Sequence, residues 1–322
     1  MNRAGIALAA LLLTFGLPGV HAAKDAYPDK PIRLIIPFVP GGPSDFLSRL
    51  VGGKLSENLG QQIIPDNRGS AGGILGFEMG AHSTPDGYTM LMAAYSGYTI
   101  NPWVYKKLPY KVSELQPITQ LTLGGNIVLV NPSVNAKTLK EFIALAKSMP
   151  GKMNYGSTGT GPLLATERFK KEAGIDLVNI PYKGTGQAQI ALLSNEVQFF
   201  VENPLIAVPS IKGGKVRALA VTSLKRNPVL PDLPTVAEAA GLPGYENVTW
   251  HSFAFPAGVP KSVLKKMHDE IVKVLKMPEI SDKILAQGLD PVGNTPEELS
   301  ARIKKESKEY QQLVKEIGYQ PM

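Results

Sequence analysis

Cysteine does not occur in the 322 residues, which excludes disulfides, thiolate nucleophiles and zinc–thiolate sites. Histidine is scarce, with four residues, and His82, His251 and His268 stand in no motif that would set one beside a serine. There is no Gly-x-Ser-x-Gly elbow and no His-Glu-x-x-His, so the usual serine and zinc hydrolase signatures are missing. Charged residues make up 19% of the chain and the formal net charge is +7, yet the lysines form no block. Pairs such as Lys265-Lys266 and Lys304-Lys305 interleave with glutamates on predicted helices. That is the pattern of a solvated face, and no nucleic-acid partner is expected.

Long apolar runs are missing as well, except at the start. Ala4 to Leu17 follows the positive Arg3 and precedes the small-residue stretch Val20-His21-Ala22. The run falls short of the ~18 residues a membrane span needs, so residues 1–22 read as a cleavable secretory signal peptide. The remaining chain of about 300 residues is expected to be exported to the periplasm, and it is long enough for two domains. Without disulfides, buried cores must hold it together.

What the chain does contain is one local architecture that recurs: an apolar strand, a loop rich in Gly, Ser or Thr, then a helix. Pro31 to Phe38 leads into Val39-Pro40-Gly41-Gly42-Pro43-Ser44-Asp45, and apolar residues then repeat at helical spacing to Leu59. Met153-Asn154-Tyr155-Gly156-Ser157-Thr158-Gly159-Thr160-Gly161-Pro162 leads likewise into a helix over Leu163 to Glu172. Such loops let backbone approach a ligand and aim free N–H groups and a helix dipole at it. Two of them in separate parts of the chain suggest two anion-binding jaws. A phosphate loop is disfavoured, because no Gly-Lys-Ser/Thr follows.

The surrounding elements fit an α/β fold. Strands at 31–38, 62–65 and 88–93 alternate with helices at 46–59 and 74–81, a βαβαβ order that predicts a parallel sheet. A second series begins with the strand Ile127 to Val130 and continues through strands near 154–156, 177–182, 197–201 and 216–221. After Trp250, long charged helices are predicted over Ser262 to Lys276 and Pro296 to Ile317. The expected organisation is a first lobe of residues 23–123 plus 249–322 and a second of 124–248. The chain would cross near 120–126 and 248–255, around a cleft that closes by hinge motion.

Candidate binding residues follow from that placement. Gly41, Gly42, Ser44 and Asp45 form the first jaw, although the Asp45 charge would repel an anion unless it caps the helix or holds a water. Ser157, Thr158 and Gly159 form the second. Tyr95 and Ser96 follow the third strand at the expected cleft edge, and Thr185 sits between Gly184 and Gly186 in lobe two. Glu202 ends a lobe-two strand. If it points into the cleft, its negative charge disfavours a ligand with a second carboxylate and favours one carrying a donor. His251, at the second crossing, is read as structural.

The order of these motifs closely resembles the Bug family, periplasmic solute-binding receptors associated with tripartite tricarboxylate transporters. The resemblance starts with Tyr27-Pro28-Asp29-Lys30-Pro31-Ile32-Arg33 and Pro37-Phe38-Val39-Pro40-Gly41-Gly42. It runs through Asn67-Arg68, Pro85-Asp86-Gly87-Tyr88-Thr89, Asn154-Tyr155-Gly156-Ser157, Pro181-Tyr182-Lys183-Gly184, Arg217-Ala218-Leu219-Ala220 and Pro256-Ala257-Gly258-Val259-Pro260, covering nearly the whole mature chain. It implies a two-lobe, type II periplasmic binding-protein fold. It also implies a monomer that captures a small organic carboxylate between the Gly-rich loops and delivers it to integral membrane permease subunits, with no cofactor. The chain departs from the family pattern at Arg68-Gly69-Ser70, at Ala191, where an aspartate is common, and at Glu202-Asn203, where Asp-Asn is common. Two other readings fit the compartment: a hydrolase acting on a carboxylate derivative, and a ligand sensor for a membrane kinase.

Overall fold

The computed structural model describes residues 27–322; the expected signal peptide lies outside the described residues. The chain runs in order through β1 (Ile32–Ile36), α1 (Pro43–Leu59), β2 (Ile63–Asn67), α2 (Ile74–Ala81), β3 (Thr89–Ala94), α3 (Tyr95–Thr99), α4 (Asn101–Val104) and β4 (Leu115–Gly125). Then follow β5 (Ile127–Val130), α5 (Leu139–Ser148), β6 (Asn154–Ser157), α6 (Thr160–Ala173), β7 (Val178–Pro181), α7 (Thr185–Leu193), β8 (Phe199–Glu202), α8 (Pro204–Lys212), β9 (Arg217–Val221) and α9 (Val236–Ala240). It returns through β10 (Val248–Pro256), α10 (Lys261–Leu275), α11 (Pro278–Leu285), β11 (Asp290–Pro291) and α12 (Pro296–Glu316).

Local chemistry explains many of the boundaries. Pro43 opens α1 at a position that needs no amide hydrogen, and Gly60, at φ 65°, ends it in the left-handed conformation. Thr138 caps α5 by accepting from the Glu141 amide, and Thr295 with Glu298 forms a reciprocal capping box on α12. Leu47, Val51 and Leu55, spaced four apart on α1, are fully buried against the first sheet.

Two mixed sheets result, ordered β11-β4-β10-β3-β1-β2 and β7-β6-β8-β5-β9. In the first, β2, β1 and β3 run parallel, whereas β10 is antiparallel to both β3 and β4. The second keeps β7, β6 and β8 parallel. The strand expected to begin a repeat of the first series, β5, instead lies antiparallel between β8 and β9. No helix among the described residues is long and apolar enough to cross a membrane.

The two crossing segments differ most from expectation. Both are long strands, β4 of 11 residues and β10 of 9, paired along their length. Fully buried Thr119, Gln120 and Thr122 interrupt the apolar pattern of β4 and conceal it in the sequence. In the same way, Pro209 inside α8 breaks the helical pattern there. One residue, Asn126, separates β4 from β5. Its Nδ2 donates to Asn247 Oδ1 at 3.0 Å, next to the start of β10, and Thr222 donates through its amide to Asn126 O at 2.8 Å. The Thr222 hydroxyl donates to both Asn126 O and Asn247 O. The two crossings are therefore clamped together side by side.

Aromatic rings fill the interior around the crossings. Trp250 on β10 stacks on Tyr98 with centroids 6.0 Å apart, and its Nε1 donates to Glu306 on α12 at 2.7 Å. In lobe two, Phe199 stacks between Phe142 and Phe169 at 5.0 and 5.6 Å. Gly97, in the turn that carries Tyr98, has Phe77 packed onto it so closely that an added Cβ would stand 1.9 Å from the ring. Phe77 cannot retreat, because it is held between Tyr98 and Tyr110. Gly97→Ala should therefore cost about 1–3 kcal/mol by overpacking. Denaturant melts would show this loss, and Phe77→Leu in the Gly97→Ala background should recover part of it; an unchanged midpoint for the single variant would contradict the packing described.

Candidate functional site

Between the sheets lies a cavity of about 220 Å³ whose walls come from both lobes. Its mouth is formed by the loops and first helical turns that follow strands: residues 38–44 after β1, 158–162 after β6 and 183–186 after β7. Its floor is formed by the crossings, with Asn126 between β4 and β5 and Thr249 and His251 on β10. Residues two apart on a strand share a face, which sets Thr249 and His251 together.

The loops are short and bring helix N-termini to the cavity. Gly42 precedes α1, Gly159 precedes α6 and Gly184 precedes α7; each lines the cavity, and none of the three helices has a side-chain cap. Their first amides therefore lack the partner that a Ser, Thr or Asp cap would supply, and their dipoles favour an anion. Gly41 and Gly159 adopt φ 89° and 129°, conformations that a side chain would strain. The lobes also touch across the mouth. Thr160 Oγ1 donates to Asn101 Oδ1 at 2.7 Å, and a Cβ on Gly184 would approach Val39 to 2.8 Å.

Of the residues expected at the site, Gly41, Gly42, Ser44, Tyr95, Ser96, Thr158, Gly159, Thr185 and Glu202 line the cavity. Asp45 and Ser157 do not. Asp45 is buried beneath its loop, where its carboxylate accepts from the Gly41 amide at 3.1 Å, Arg49 Nε at 3.0 Å and Asn67 Nδ2 at 3.1 Å. Burial pushes the Asp45 carboxyl up, but these bonds and the Arg49 charge outweigh it and hold it below the ordinary value. Its charge is thus spent on bracing the loop, which answers the concern about repulsion. Ser157 is buried on β6, where its carbonyl accepts from the Tyr182 amide at 2.8 Å. Thr185 begins α7 rather than lying in a loop. Tyr95 and Ser96 begin the helical turn α3, and Tyr95 is buried at the junction of the lobes, its hydroxyl against Gly161.

Sequence reasoning missed Asn126, Thr249 and His251, all on the cavity floor. Recognising β10 as a strand would have exposed the pair at 249 and 251; only the tertiary fold brings Asn126 beside them. His251 is buried, with Nδ1 3.3 Å from Thr122 Oγ1, and burial lowers its pKa to about 4. Glu202 is buried at the end of β8. Its Oε1 accepts from the Asn203 amide at 2.8 Å, while Oε2 has no hydrogen-bond partner. Burial raises its pKa to about 8, against the smaller opposing effect of the Asn203 bond. At neutral pH it is mostly uncharged. Burial without a cationic partner favours the neutral acid, which opposes the expectation that a negative Glu202 would repel a second carboxylate. Of the residues lining the cavity, Lys183 then carries the remaining charge.

Residues 47–319, which include almost all of both sheets and the closing helix α12, match the tripartite tricarboxylate transporter family receptor, TctC. The chain belongs to this family. It is 32% identical over 324 residues to the protein BugT of Bordetella pertussis (strain Tohama I), covering 99% of this chain and 98% of that one. Among solved structures it is similar to a periplasmic transporter at 39% identity and a TM-score of 0.86, covering 90% of this chain and 98% of the other. It is also similar to an R. palustris protein with adipate at 29% identity and a TM-score of 0.89, covering 92% of this chain and 100% of the other. The resemblance read from the sequence motifs is thereby established, and so is the two-lobe type II periplasmic binding-protein fold. As a TctC receptor the protein is a solute-binding component of a transport system.

Glu202 and His251, two buried titratable groups in the cavity of this TctC receptor, have opposite effects on stability. A carboxyl raised from 4.5 to about 8 favours the native state at low pH, and the stability it confers is lost as pH rises through about 8. A histidine lowered from 6.5 to about 4 makes the native state lose stability as pH falls from 6.5 towards 4. The two oppose each other between 4.5 and 6.5, and from 6.5 to about 8 Glu202 acts alone. Wild type should therefore lose stability relative to Glu202→Gln across that upper window, on the order of 1 kcal/mol per pH unit. Urea melts of both proteins at several pH values measure the difference; parallel curves would mean that Glu202 is ionised throughout.

Proposed function

We propose that the protein is a periplasmic receptor that captures a small organic carboxylate in the interlobe cavity and delivers it to the membrane permease subunits of a tripartite tricarboxylate-type transporter. The observation that carries this reading is the convergence of three uncapped helix N-termini, α1 from one lobe and α6 and α7 from the other, on one cavity. A carboxylate supplies acceptors to the free amides of both lobes at once, so its binding favours the arrangement in which the lobes touch. Gly41, Gly42, Ser44, Thr158, Gly159 and Thr185 are the residues proposed to meet it, with Asp45 and Ser157 supporting their loops. The adipate held by the R. palustris relative supports a carboxylate as the ligand class. Residues 1–22 would direct export.

The protein is proposed to bind without turnover and to act as a monomer. Among the described residues no group of three or more His, Cys, Asp or Glu could hold a metal, and His251 sits against Thr122 rather than beside an exposed serine. Neither observation supports the hydrolase reading.

A thermal-shift series on the mature protein tests the proposal, using small mono- and dicarboxylates beside their neutral amides. A bound acid at about 1,000 times its Kd adds about 4 kcal/mol of native-state stability, a rise in Tm of several degrees, and its amide should give none. Recovery of the acid unchanged by mass spectrometry after incubation separates capture from catalysis. Equal responses to acid and amide would contradict the anion site.

A further inference from the structure

Glu202 is an acid built into a place where no cation answers it. Its side chain is 3% exposed, it lines the cavity, and its neighbours in the sheet are the apolar residues of β5. The titratable groups facing the cavity beside it are His251 from β10, Tyr95 from α3 and Lys183 from the loop before α7, and only burial and the Asn203 amide perturb it. Burial keeps His251 neutral above pH of about 4 and pushes the Tyr95 phenol up, so neither changes charge near neutrality. Every other polar side chain of the lining is an uncharged Ser, Thr or Asn.

The hydrogen-bonding roles of the two Glu202 oxygens are already divided. Oε1 accepts from the Asn203 amide at 2.8 Å, which assigns it as the carbonyl oxygen of the acid. Oε2, buried and unpartnered, is then the hydroxyl. A buried O–H with no acceptor costs about 1–3 kcal/mol, and a ligand acceptor in the cavity removes that penalty. The strongest such acceptor is a carboxylate, because O–H···O⁻ bonds are short and charge-assisted. A ligand amine or amide N–H would leave the Oε2 proton without an acceptor.

We propose that Glu202 is a specificity-determining residue which, as the neutral acid, donates its Oε2 proton to a second carboxylate of the ligand, so that the receptor selects dicarboxylates. This rests on the carboxylate-receptor reading above and adds to it the ligand's second group. The first carboxylate lies at the helix N-termini of the mouth and the second reaches the floor beside the crossings. Binding of the dianion then leaves the number of bound protons unchanged while Glu202 is protonated, and must take up a proton once it is ionised. Glutamine reproduces the division of roles, with its carbonyl accepting from Asn203 and its amide donating to the ligand, but it cannot ionise.

The test is calorimetric titration of adipate and its half-amide into wild type, Glu202→Gln and Glu202→Leu from about pH 6.5 to about pH 9.5, after a thermal-shift survey that replaces adipate by another dicarboxylate and its half-amide if that binds better. Wild type should prefer the dicarboxylate to its half-amide about tenfold or more, and its affinity should weaken towards tenfold per pH unit once Glu202 ionises. Glu202→Gln should bind the dicarboxylate within a few-fold of wild type at the lower pH and show no such weakening. Glu202→Leu should lose about tenfold or more while keeping its affinity for a monocarboxylate. A dicarboxylate that binds with the same pH response in wild type and Glu202→Gln, or a half-amide that binds as well as the diacid, overturns the role of Glu202 and leaves the receptor reading intact. If no carboxylate binds any variant at any pH, the receptor reading fails, and the inference with it.

Discussion

The pairing of β4 with β10 is the constraint on which the rest of the molecule depends. These two strands are far apart in sequence, yet they carry the chain between the lobes side by side, and Asn126, Thr222 and Asn247 tie their lobe-two ends together. Because Asn126 is the single residue between β4 and β5, little slack is available for the lobes to drift apart. The same geometry fixes the cavity floor: Asn126, Thr249 and His251 reach it because they stand on or beside these strands. In the proposed receptor, a floor built on the connecting strands would tie ligand contact to lobe position.

Electrostatically, the site achieves attraction for an anion with few formal charges. Helix N-termini from both lobes provide partial positive charge that is already oriented, so little side-chain entropy is lost when a ligand arrives. The acid beneath the first jaw, Asp45, is balanced by Arg49 of the same helix, Asn67 at the end of β2 and the Gly41 amide. The other, Glu202, is neutralised by protonation. An exposed glutamate at the same position would set a full negative charge against the ligand; a buried one presents a donor. Burying it without a partner for Oε2 costs native-state stability, and that cost falls at the floor of the cavity, where departures from the rule that buried polar groups are satisfied are most often functional.

With disulfides excluded by composition, stability rests on the buried cores, and aromatic packing joins them around the crossings. Trp250 contacts Tyr95, Tyr98 and, through its indole N–H, Glu306 of the last helix. That helix also reaches the second lobe through Lys171 and Glu316, 2.8 Å apart but both more than two-fifths exposed. An ion pair so exposed contributes little. Within the first lobe the same helix packs Tyr310 against Tyr95, with ring centroids 6.3 Å apart.

The sequence by itself determined the local elements and the two Gly-rich jaws. α2 and β5 fall on the residues their patterns predict, and Gly41, Gly42 and Gly159 line the cavity, because helical spacing, caps and turn glycines act within a few residues of chain. The ordered motifs likewise carried the family. What only the tertiary structure decided were properties made by distant contacts. The antiparallel place of β5, the strands hidden by the buried Thr and Gln of β4, and the removal of Asp45 and Ser157 from the cavity walls all depend on partners more than a loop away. Above all, the charge of Glu202 is written nowhere in its neighbours along the chain. A carboxyl keeps or loses its proton according to how much water and which charges surround it, and the packing of β8 against β5 beneath the closing lobes sets both.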